Sequence, residues 1–214
     1  MTDVLRLLLV RHGETEWVER GLLHGRLDSP LSAAGQRHAA LAAARLRGKH
    51  FDALYTSPLG RAMQTASILG RTIGLTPRPL DGLQEMDFGW MEGKPAVFWR
   101  GDGLLGKALR PVHSLSYMLT AERPAHFRQR IEQALEIIFS HHQRGRVLVV
   151  SHHAVLSRML ALLVGVPDQD WRHIGPWTAC AFTEIAGTAQ GRNGRDWDWE
   201  IVRMNDESHL RKDG

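Results

Sequence analysis

The chain has 214 residues, of which 43% are hydrophobic and 23% are charged, a balance that is ordinary for a soluble globular domain. Its net charge of +4 comes from 27 Lys and Arg against 23 Asp and Glu, and the basic residues form no run. Nucleic-acid binding would rest on this mild excess alone, so we expect no nucleic-acid partner. No segment approaches the roughly 18–20 consecutive apolar residues that span a bilayer, so we expect no membrane partner either.

Strand and helix signals alternate along the chain, which is typical of an α/β fold whose parallel sheet is covered by helices on both faces. In chain order, the predicted elements are a strand at 5–10, a helix at 29–48, a strand at 51–57, helices at 60–74 and 123–142, a strand at 146–152, a helix at 154–165, and strands at 177–185 and 198–204. Ser32 is the expected N-cap of the first helix, and glycines at 48, 74 and 165 are expected to end three of the helices.

We predict a single domain over 1–214 with a lid-like insertion at about 89–122, where Gly, Pro and aromatic residues are frequent. The single cysteine, Cys180, allows no intrachain disulfide and lies in the apolar stretch WTACAFTEI. We therefore expect it to be buried, in a protein of the reducing cytoplasm.

Polar side chains follow three of the predicted strands. Arg11 and His12 follow the first strand, Ser57 and Arg61 follow the second, and His152 follows the third. Because ligands of open α/β sheets bind outside the carboxyl ends of the strands, we expect these groups to share one crevice. Two arginines and two histidines would form a cationic pocket for a phosphate dianion, in which a neutral imidazole can attack phosphorus. A helix that begins near residues 57–61 would add backbone N–H groups to such a pocket.

The sequence resembles the histidine phosphatase superfamily, the phosphoglycerate-mutase-like proteins, and we place it in the phosphatase branch. The blocks that carry the resemblance are LLLVRHGETEW, GRLDSPLSAAGQRHA, YTSPLGRAMQTA, LQEMDFGWMEGK, VLVVSHHAVLSRML and the terminal NDESHL, in the family's order. The resemblance covers nearly the whole chain and implies a three-layer αβα sandwich with a mostly parallel central sheet. It also implies catalysis through a covalent phosphohistidine.

The resemblance assigns a role to each matching residue. His12 matches the nucleophile, Arg11 and Arg61 match the arginines that bind the phosphoryl oxygens, and His152 matches the second histidine, which stabilises the transferring group. Glu85 matches the acid that protonates the leaving oxygen, a role that requires burial to raise its pKa. This set needs no metal ion and no cofactor.

Three positions depart from the family's pattern. Val18 stands where an asparagine would donate to phosphate, and His24-Gly25 stands where Gln-Gly is frequent. His24 either supplies the replacement donor, with Gly25 in the phosphate-binding loop, or is a solvated loop histidine. His153 replaces the usual glycine after the second histidine and either narrows the pocket or points away from it.

The function expected from these residues is metal-independent hydrolysis of a small phosphomonoester. The alternatives are a phosphoglycerate-type phosphomutase, which uses the same groups but returns the phosphoryl group to the substrate, and a catalytically weak phospho-ligand-binding protein. A metallohydrolase built from the histidines at 12, 24, 152 and 153 is compatible with composition but lacks a recognisable ligand spacing. Neither the substrate nor the oligomeric state follows from the sequence.

Overall fold

The computed structural model describes residues 4–95, 119–190 and 196–211. Its described strands, all in one six-stranded sheet, are β1 (Val4–Arg11), β2 (Ala53–Thr56), β3 (Arg78–Pro79), β4 (Gly145–Ser151), β5 (Phe182–Gln190) and β6 (Asp196–Asp206). The strands lie in the order β3-β2-β4-β1-β5-β6. The first four strands are mutually parallel, whereas β5 pairs antiparallel with β1, and β6 antiparallel with β5.

Helices cover both faces of this sheet. The described helices are α1 (Glu16–Glu19), α2 (Ala33–Leu46), α3 (Gly60–Ile73), α4 (Pro124–His141) and α5 (His153–Val164). Successive side chains of a strand point to opposite faces, so Leu8 and Val10 pack with α2 and α3, whereas Leu7 and Leu9 pack with α4 and α5. The predicted three-layer αβα sandwich with a mostly parallel central sheet is therefore confirmed.

Most predicted helix ends agree with the structure. The Ser32 hydroxyl accepts a hydrogen bond from the backbone N–H of Gly35 at 3.1 Å, as expected of the N-cap of α2. Gly74 and Gly165 end α3 and α5 in the left-handed conformation, with φ of 74° and 73°. The end of α2 was predicted at Gly48, two residues beyond its actual last residue, Leu46.

The structure differs from the prediction at two strands. Strand β3 was not predicted, because two exposed residues that end in a proline carry no strand pattern. Strand β5 begins at Phe182 instead of residue 177, because the preceding residues form a turn in which Cys180 has a φ of 62°. Cys180 itself is fully buried, as predicted. Residues 96–118 of the predicted lid-like insertion lie outside the described residues.

In the part of the chain that the structure describes, none of the helices combines the length and the apolar character that a bilayer crossing requires.

The strand register brings the predicted site residues to one edge of the sheet. Arg11 pairs with Ser151, and Thr56 pairs with Val150, so β1, β2 and β4 end at the same level. The chain leaves β1 toward α2 on one face and leaves the neighbouring β4 toward α5 on the other. Adjacent parallel strands whose connections go to opposite faces form the crevice in which α/β proteins bind ligands.

Candidate active site

His12 lies at this crevice, and one of its ring nitrogens is fixed by a backbone carbonyl while the other faces Arg61. Its side chain is buried, and its Nδ1–H donates to the carbonyl oxygen of Gly13 at 2.7 Å. Because a carbonyl can only accept, Nδ1 carries the proton and the lone pair lies on Nε2. Burial, followed by the charges of Arg11 and Arg61, holds the pKa of His12 well below its ordinary value. The imidazole is therefore neutral near pH 7, as an attacking nitrogen must be.

The turn after His12 is held against α2 and α3. The backbone N–H of Gly13 donates to the Thr65 hydroxyl at 3.0 Å, and that hydroxyl donates to the carbonyl oxygen of Arg61 at 2.8 Å. A Cβ at position 13 would lie 2.8 Å from the carbonyl oxygen of Gly35, which explains the glycine at this position. The turn that carries the nucleophile is thus tied to the helix that carries Arg61.

Arg61 is fully buried and connects the nucleophile to the loop at residues 25–28. Its Nε–H donates to Nε2 of His12 at 3.3 Å, and its Nη2 donates to the carbonyl oxygen of Gly25 at 2.7 Å. Its Nη1 donates to the Asp28 carboxylate at 2.9 Å and to the carbonyl oxygen of Leu27 at 3.1 Å. The protein therefore sets the position of this guanidinium before any substrate arrives.

Asp28 also corrects one expectation about α3. Its carboxylate accepts hydrogen bonds from the backbone N–H groups of Gly60 and Arg61, the first residues of the helix. The expectation that these groups would bind a phosphate is wrong, because a carboxylate of the chain already occupies them.

Arg11 and His152 each place an unpartnered polar atom in the crevice. Arg11 donates from Nη1 to the carbonyl oxygen of Trp177 at 2.9 Å, but its buried Nε has no hydrogen-bond partner among the described residues. A hydrogen bond of 2.7 Å joins Nε2 of His152 to the Ser57 hydroxyl, whereas Nδ1 is buried without such a partner. The rings of His152 and His12 are 5.0 Å apart, centroid to centroid. When the Ser57 hydroxyl donates to Nε2, Nδ1 of His152 carries the proton, and together with the Arg11 Nε it is suited to an anionic ligand.

The Glu85 carboxylate reaches the same region from the loop after β3. Its Oε1 accepts from the backbone N–H of Met86 at 2.9 Å, and its Oε2 accepts from that of Ala154 in the first turn of α5 at 3.3 Å. Burial raises the pKa of Glu85, and the opposing effects of these two hydrogen bonds and of the nearby Arg61 charge are smaller. The protonated form of Glu85 is thus more accessible near neutral pH than that of an ordinary glutamate.

Comparison with known proteins identifies the family. A sequence model of the histidine phosphatase superfamily (branch 1) matches residues 7–206. The chain belongs to this superfamily. A protein of Hydrogenobacter thermophilus that is named as a phosphoserine phosphatase is 36% identical over 167 residues, which cover 75% of this chain and 79% of that protein. A protein of Yersinia enterocolitica that is named as a phosphoglycerate mutase is 32% identical, with 97% and 95% of the two chains covered.

Solved structures agree with this assignment. The protein YhfR of Bacillus stearothermophilus superposes with a TM-score of 0.79 at 26% identity, over 97% of this chain and all of that one (100%). The alpha-ribazole phosphatase of Shigella flexneri superposes with a TM-score of 0.76 at 26% identity, over 94% of this chain and 96% of the other. The predicted membership of the superfamily is confirmed, and its relatives include proteins named as phosphatases and proteins named as mutases.

The departures from the family's motif lie around Thr15 in this member of the superfamily. Nε2 of His24 lies 3.0 Å from the Thr15 hydroxyl, which also accepts from the backbone N–H of Val18 at 3.3 Å. Burial, followed by the charge of Arg61, lowers the pKa of His24 to about 4, so His24 is neutral and close to the site's arginines. The Val18 side chain is partly exposed in α1, and Gly25 contributes its carbonyl oxygen to Arg61.

Sequence reasoning missed the carboxylates that support this candidate site. Besides Asp28, Glu92 accepts hydrogen bonds from the backbone N–H groups of Arg26, Leu27 and Phe88. Any side chain at Gly25 would overlap the Glu92 carboxylate, which explains the glycine there. Both acids lie inside blocks that match the family, GRLDSP and MEGK, but no spacing rule connects them.

Across residues 4–95, 119–190 and 196–211, no group of three or more His, Cys, Asp or Glu side chains is arranged to hold a metal ion.

Proposed function

We propose that this protein is a cytoplasmic, metal-independent phosphatase that hydrolyses a small phosphomonoester through a phosphohistidine at Nε2 of His12. The observation that carries the proposal is the state of His12. The imidazole is neutral, its Nδ1–H is held by the Gly13 carbonyl, and its Nε2 lies beside the Arg61 Nε. A reactive nitrogen and a fixed guanidinium thus meet where a transferring phosphoryl group would lie.

In the first step, the Nε2 lone pair of His12 attacks phosphorus, and the bond between phosphorus and the leaving oxygen breaks. Arg11, Arg61 and His152 bind the three other phosphoryl oxygens, and the unpartnered Arg11 Nε and His152 Nδ1 are available for that contact. Protonated Glu85 gives its proton to the leaving oxygen, because expulsion of an alkoxide is costly near pH 7.

In the second step, water replaces the alcohol. The Glu85 carboxylate takes a proton from the water as its oxygen attacks phosphorus, and the N–P bond to His12 breaks. Inorganic phosphate leaves, and Glu85 is again protonated. Charge stabilisation by positioned cations dominates such transfers, and here the arginines supply the positive charge that a metal ion would otherwise bring.

The experiment that tests the proposal traps the intermediate. Brief reaction with a ³²P-labelled phosphomonoester and an alkaline quench should leave acid-labile label on His12 of the wild type. Turnover should fall by several orders of magnitude in His12→Ala, because His12 acts within a catalytic unit. His50→Ala is the matched control, since His50 is exposed and precedes the amino end of β2, whereas the crevice lies at the carboxyl ends of the strands. Label on another residue, or undiminished turnover in His12→Ala, would overturn the mechanism.

The role of Glu85 is tested through the leaving group. Glu85→Gln should slow the hydrolysis of alkyl phosphates far more than that of p-nitrophenyl phosphate, because p-nitrophenolate leaves without a proton. Equal losses on both substrates would show that Glu85 acts by binding or structure instead of as the acid.

A phosphomutase is the second candidate, favoured by the relative that is named as a phosphoglycerate mutase and matches 97% of this chain. Incubation with 3-phosphoglycerate and its bisphosphorylated primer separates the two reactions. Release of phosphate with little isomerisation supports the phosphatase, and rapid isomerisation without release supports the mutase. O-Phosphoserine and alpha-ribazole phosphate belong in the same panel, because relatives are named for them. Activity that is lost with EDTA and restored by zinc would instead support a metallohydrolase.

A further inference from the structure

A recess of about 500 Å³ lies next to the loop that carries Glu85. Its walls include Met86 and Phe88 from the loop that carries Glu85, and His153 from the first turn of α5. Trp171 and Arg172 complete the opposite side. The recess is distinct from the crevice at His12, because Arg11, His12 and Arg61 are not among the described residues that line it.

Two backbone contacts connect this recess to Glu85. Ala154, which lies in the wall, donates its N–H to Oε2 of Glu85 at 3.3 Å, and Met86 donates its N–H to Oε1 at 2.9 Å. In an in-line transfer the leaving oxygen departs opposite the attacking nitrogen, and the acid must lie next to that oxygen. In the proposed reaction, the atoms of the alcohol beyond that oxygen would extend past Glu85 on the side where Met86 and Ala154 border the recess.

The walls of the recess are mostly aromatic or apolar. Trp171 is held in place by Phe127, whose ring centroid lies 5.5 Å from its own. The Ser157 hydroxyl, the main neutral polar group in the wall, donates to the carbonyl oxygen of Ile174 at 2.8 Å and accepts from Trp177 Nε1 at 2.9 Å. Its hydrogen-bonding capacity is therefore used within the protein.

The two polar side chains that remain in the wall, His153 and Arg172, suit an aromatic partner. Burial, followed by the charge of Arg11, lowers the pKa of His153, so its ring is neutral and presents a flat surface. The Arg172 guanidinium carbon lies 5.0 Å from the centre of the Trp171 ring, a cation–π contact within the wall. A three-carbon alcohol would leave most of this volume unfilled, whereas pockets of this size and lining bind larger, mostly apolar ligands.

We propose that this recess binds the leaving group, and that the substrate is the phosphomonoester of an alcohol that carries an aromatic body. This inference rests on the proposed phosphatase activity, because it takes Glu85 as the acid that marks the leaving side. His153 forms part of the aromatic wall of the recess in this chain, and a smaller residue at this position would leave the recess more open.

The test compares substrates that differ only in that body. Ethyl phosphate and 2-phenylethyl phosphate release alcohols with similar leaving tendencies, so a difference in kcat/KM reports contacts with the phenyl ring. We expect 2-phenylethyl phosphate to be preferred by about 10- to 100-fold, the range that burial of a phenyl group supports. The preference should shrink by about 10-fold in Phe88→Ala and stay unchanged in Trp90→Ala, since Trp90 is a half-exposed aromatic residue of the same loop outside the recess.

The outcomes separate this inference from the proposed function. Equal hydrolysis of both esters, or faster hydrolysis of 3-phosphoglycerate than of 2-phenylethyl phosphate, would contradict the proposal that the recess binds an aromatic leaving group. Either result would still agree with the proposed phosphatase activity. If no ester is hydrolysed, the phosphatase proposal fails. The recess is then judged by calorimetry with ethylphosphonate and 2-phenylethylphosphonate, where tighter binding of the phenyl compound supports it and equal affinity overturns it.

Discussion

Substitution of Glu122 by Gln tests a buried ion pair that holds the loop of the proposed acid. The Glu122 carboxylate is almost fully buried and accepts from Nε and Nη2 of Arg130 at 2.7 Å and 2.9 Å. The same guanidinium donates to the carbonyl oxygens of Gln84 at 2.6 Å and Glu85 at 3.0 Å. Glu122 thus fixes Arg130, and Arg130 fixes the backbone from which Glu85 reaches the crevice.

The expected magnitude follows from these contacts. Removing one partner of a buried ion pair costs about 3–5 kcal/mol, because the remaining charge is left uncompensated. The glutamine keeps one acceptor for Arg130, so we expect a loss near the lower end, about 3 kcal/mol. For a protein of this size 1 kcal/mol changes the melting temperature by about 2–4 °C, which predicts a decrease of about 6–12 °C.

The difference should also depend on pH. Burial alone would raise the pKa of Glu122, but the hydrogen bonds and charge of Arg130 outweigh it and hold the pKa below its ordinary value. A carboxylate with a lowered pKa stabilises the fold above its unfolded pKa, and that contribution is lost as the pH falls through the folded pKa. The gap between wild type and Glu122→Gln should therefore be full at pH 7 and shrink below about pH 4.

Urea unfolding at pH 7 measures the effect, and Glu132→Gln is the matched control. Glu132 lies on α4, pairs with Arg128 and is partly exposed, so its loss should cost less than about 0.5 kcal/mol. Equal unfolding free energies for the two variants would refute the reasoning, because desolvation of the buried pair would then cancel its attraction.

Three further predictions concern residues in and near the crevice. Burial raises the pKa of the Cys180 thiol to about 12, so iodoacetamide at pH 8 should label it only after unfolding, and rapid labelling of the native protein would contradict this. The pKa of His12 is lowered in the native protein, so the unfolded chain takes up a proton at this histidine that the native protein does not. The unfolding free energy should therefore fall as the pH drops below about 6.5. An equally steep fall in His12→Gln would exclude His12 as a cause. Asp28→Asn should lower kcat/KM for phosphomonoesters by about 10- to 100-fold, because it removes one charge-assisted hydrogen bond to Arg61. Unchanged steady-state kinetics would show that Arg61 keeps its position without the Asp28 charge.

The central strands and the location of the site could be predicted because they depend on local pattern. Apolar runs at residues 5–10 and 146–152 can be buried only between two helix layers, and they correspond to β1 and β4. Arg11 is the last residue of β1 and His152 directly follows β4, so the parallel pairing alone brings them to one edge. Arg61 lies in the first turn of α3, the helix that comes after β2.

The supporting contacts could not be predicted, because they join segments that are distant in sequence and have no shared period. Arg130 lies 45 residues from Glu85, and Asp28 lies 33 residues from Arg61. A carboxylate in a loop looks the same in sequence whether it is solvated or bound to a buried guanidinium. The predicted anion-binding role of the first amides of α3 failed for this reason, since nothing local indicated that Asp28 would occupy them.

Arg61 illustrates how these distant acids prepare the crevice for an anion. Its Nη1 and Nη2 are bonded to the loop at residues 25–28, and only its Nε edge faces Nε2 of His12. The Asp28 carboxylate therefore compensates the guanidinium on the side away from the nucleophile, and the side that faces the nucleophile keeps its positive potential. Only the Nε contact of such a fixed cation must change when a phosphoryl group reaches His12, and preorganised charge of this kind is usually the largest contribution to catalysis. In the proposed reaction, the loop at 25–28 acts through the orientation of Arg61, which its carbonyl oxygens and the Asp28 carboxylate hold.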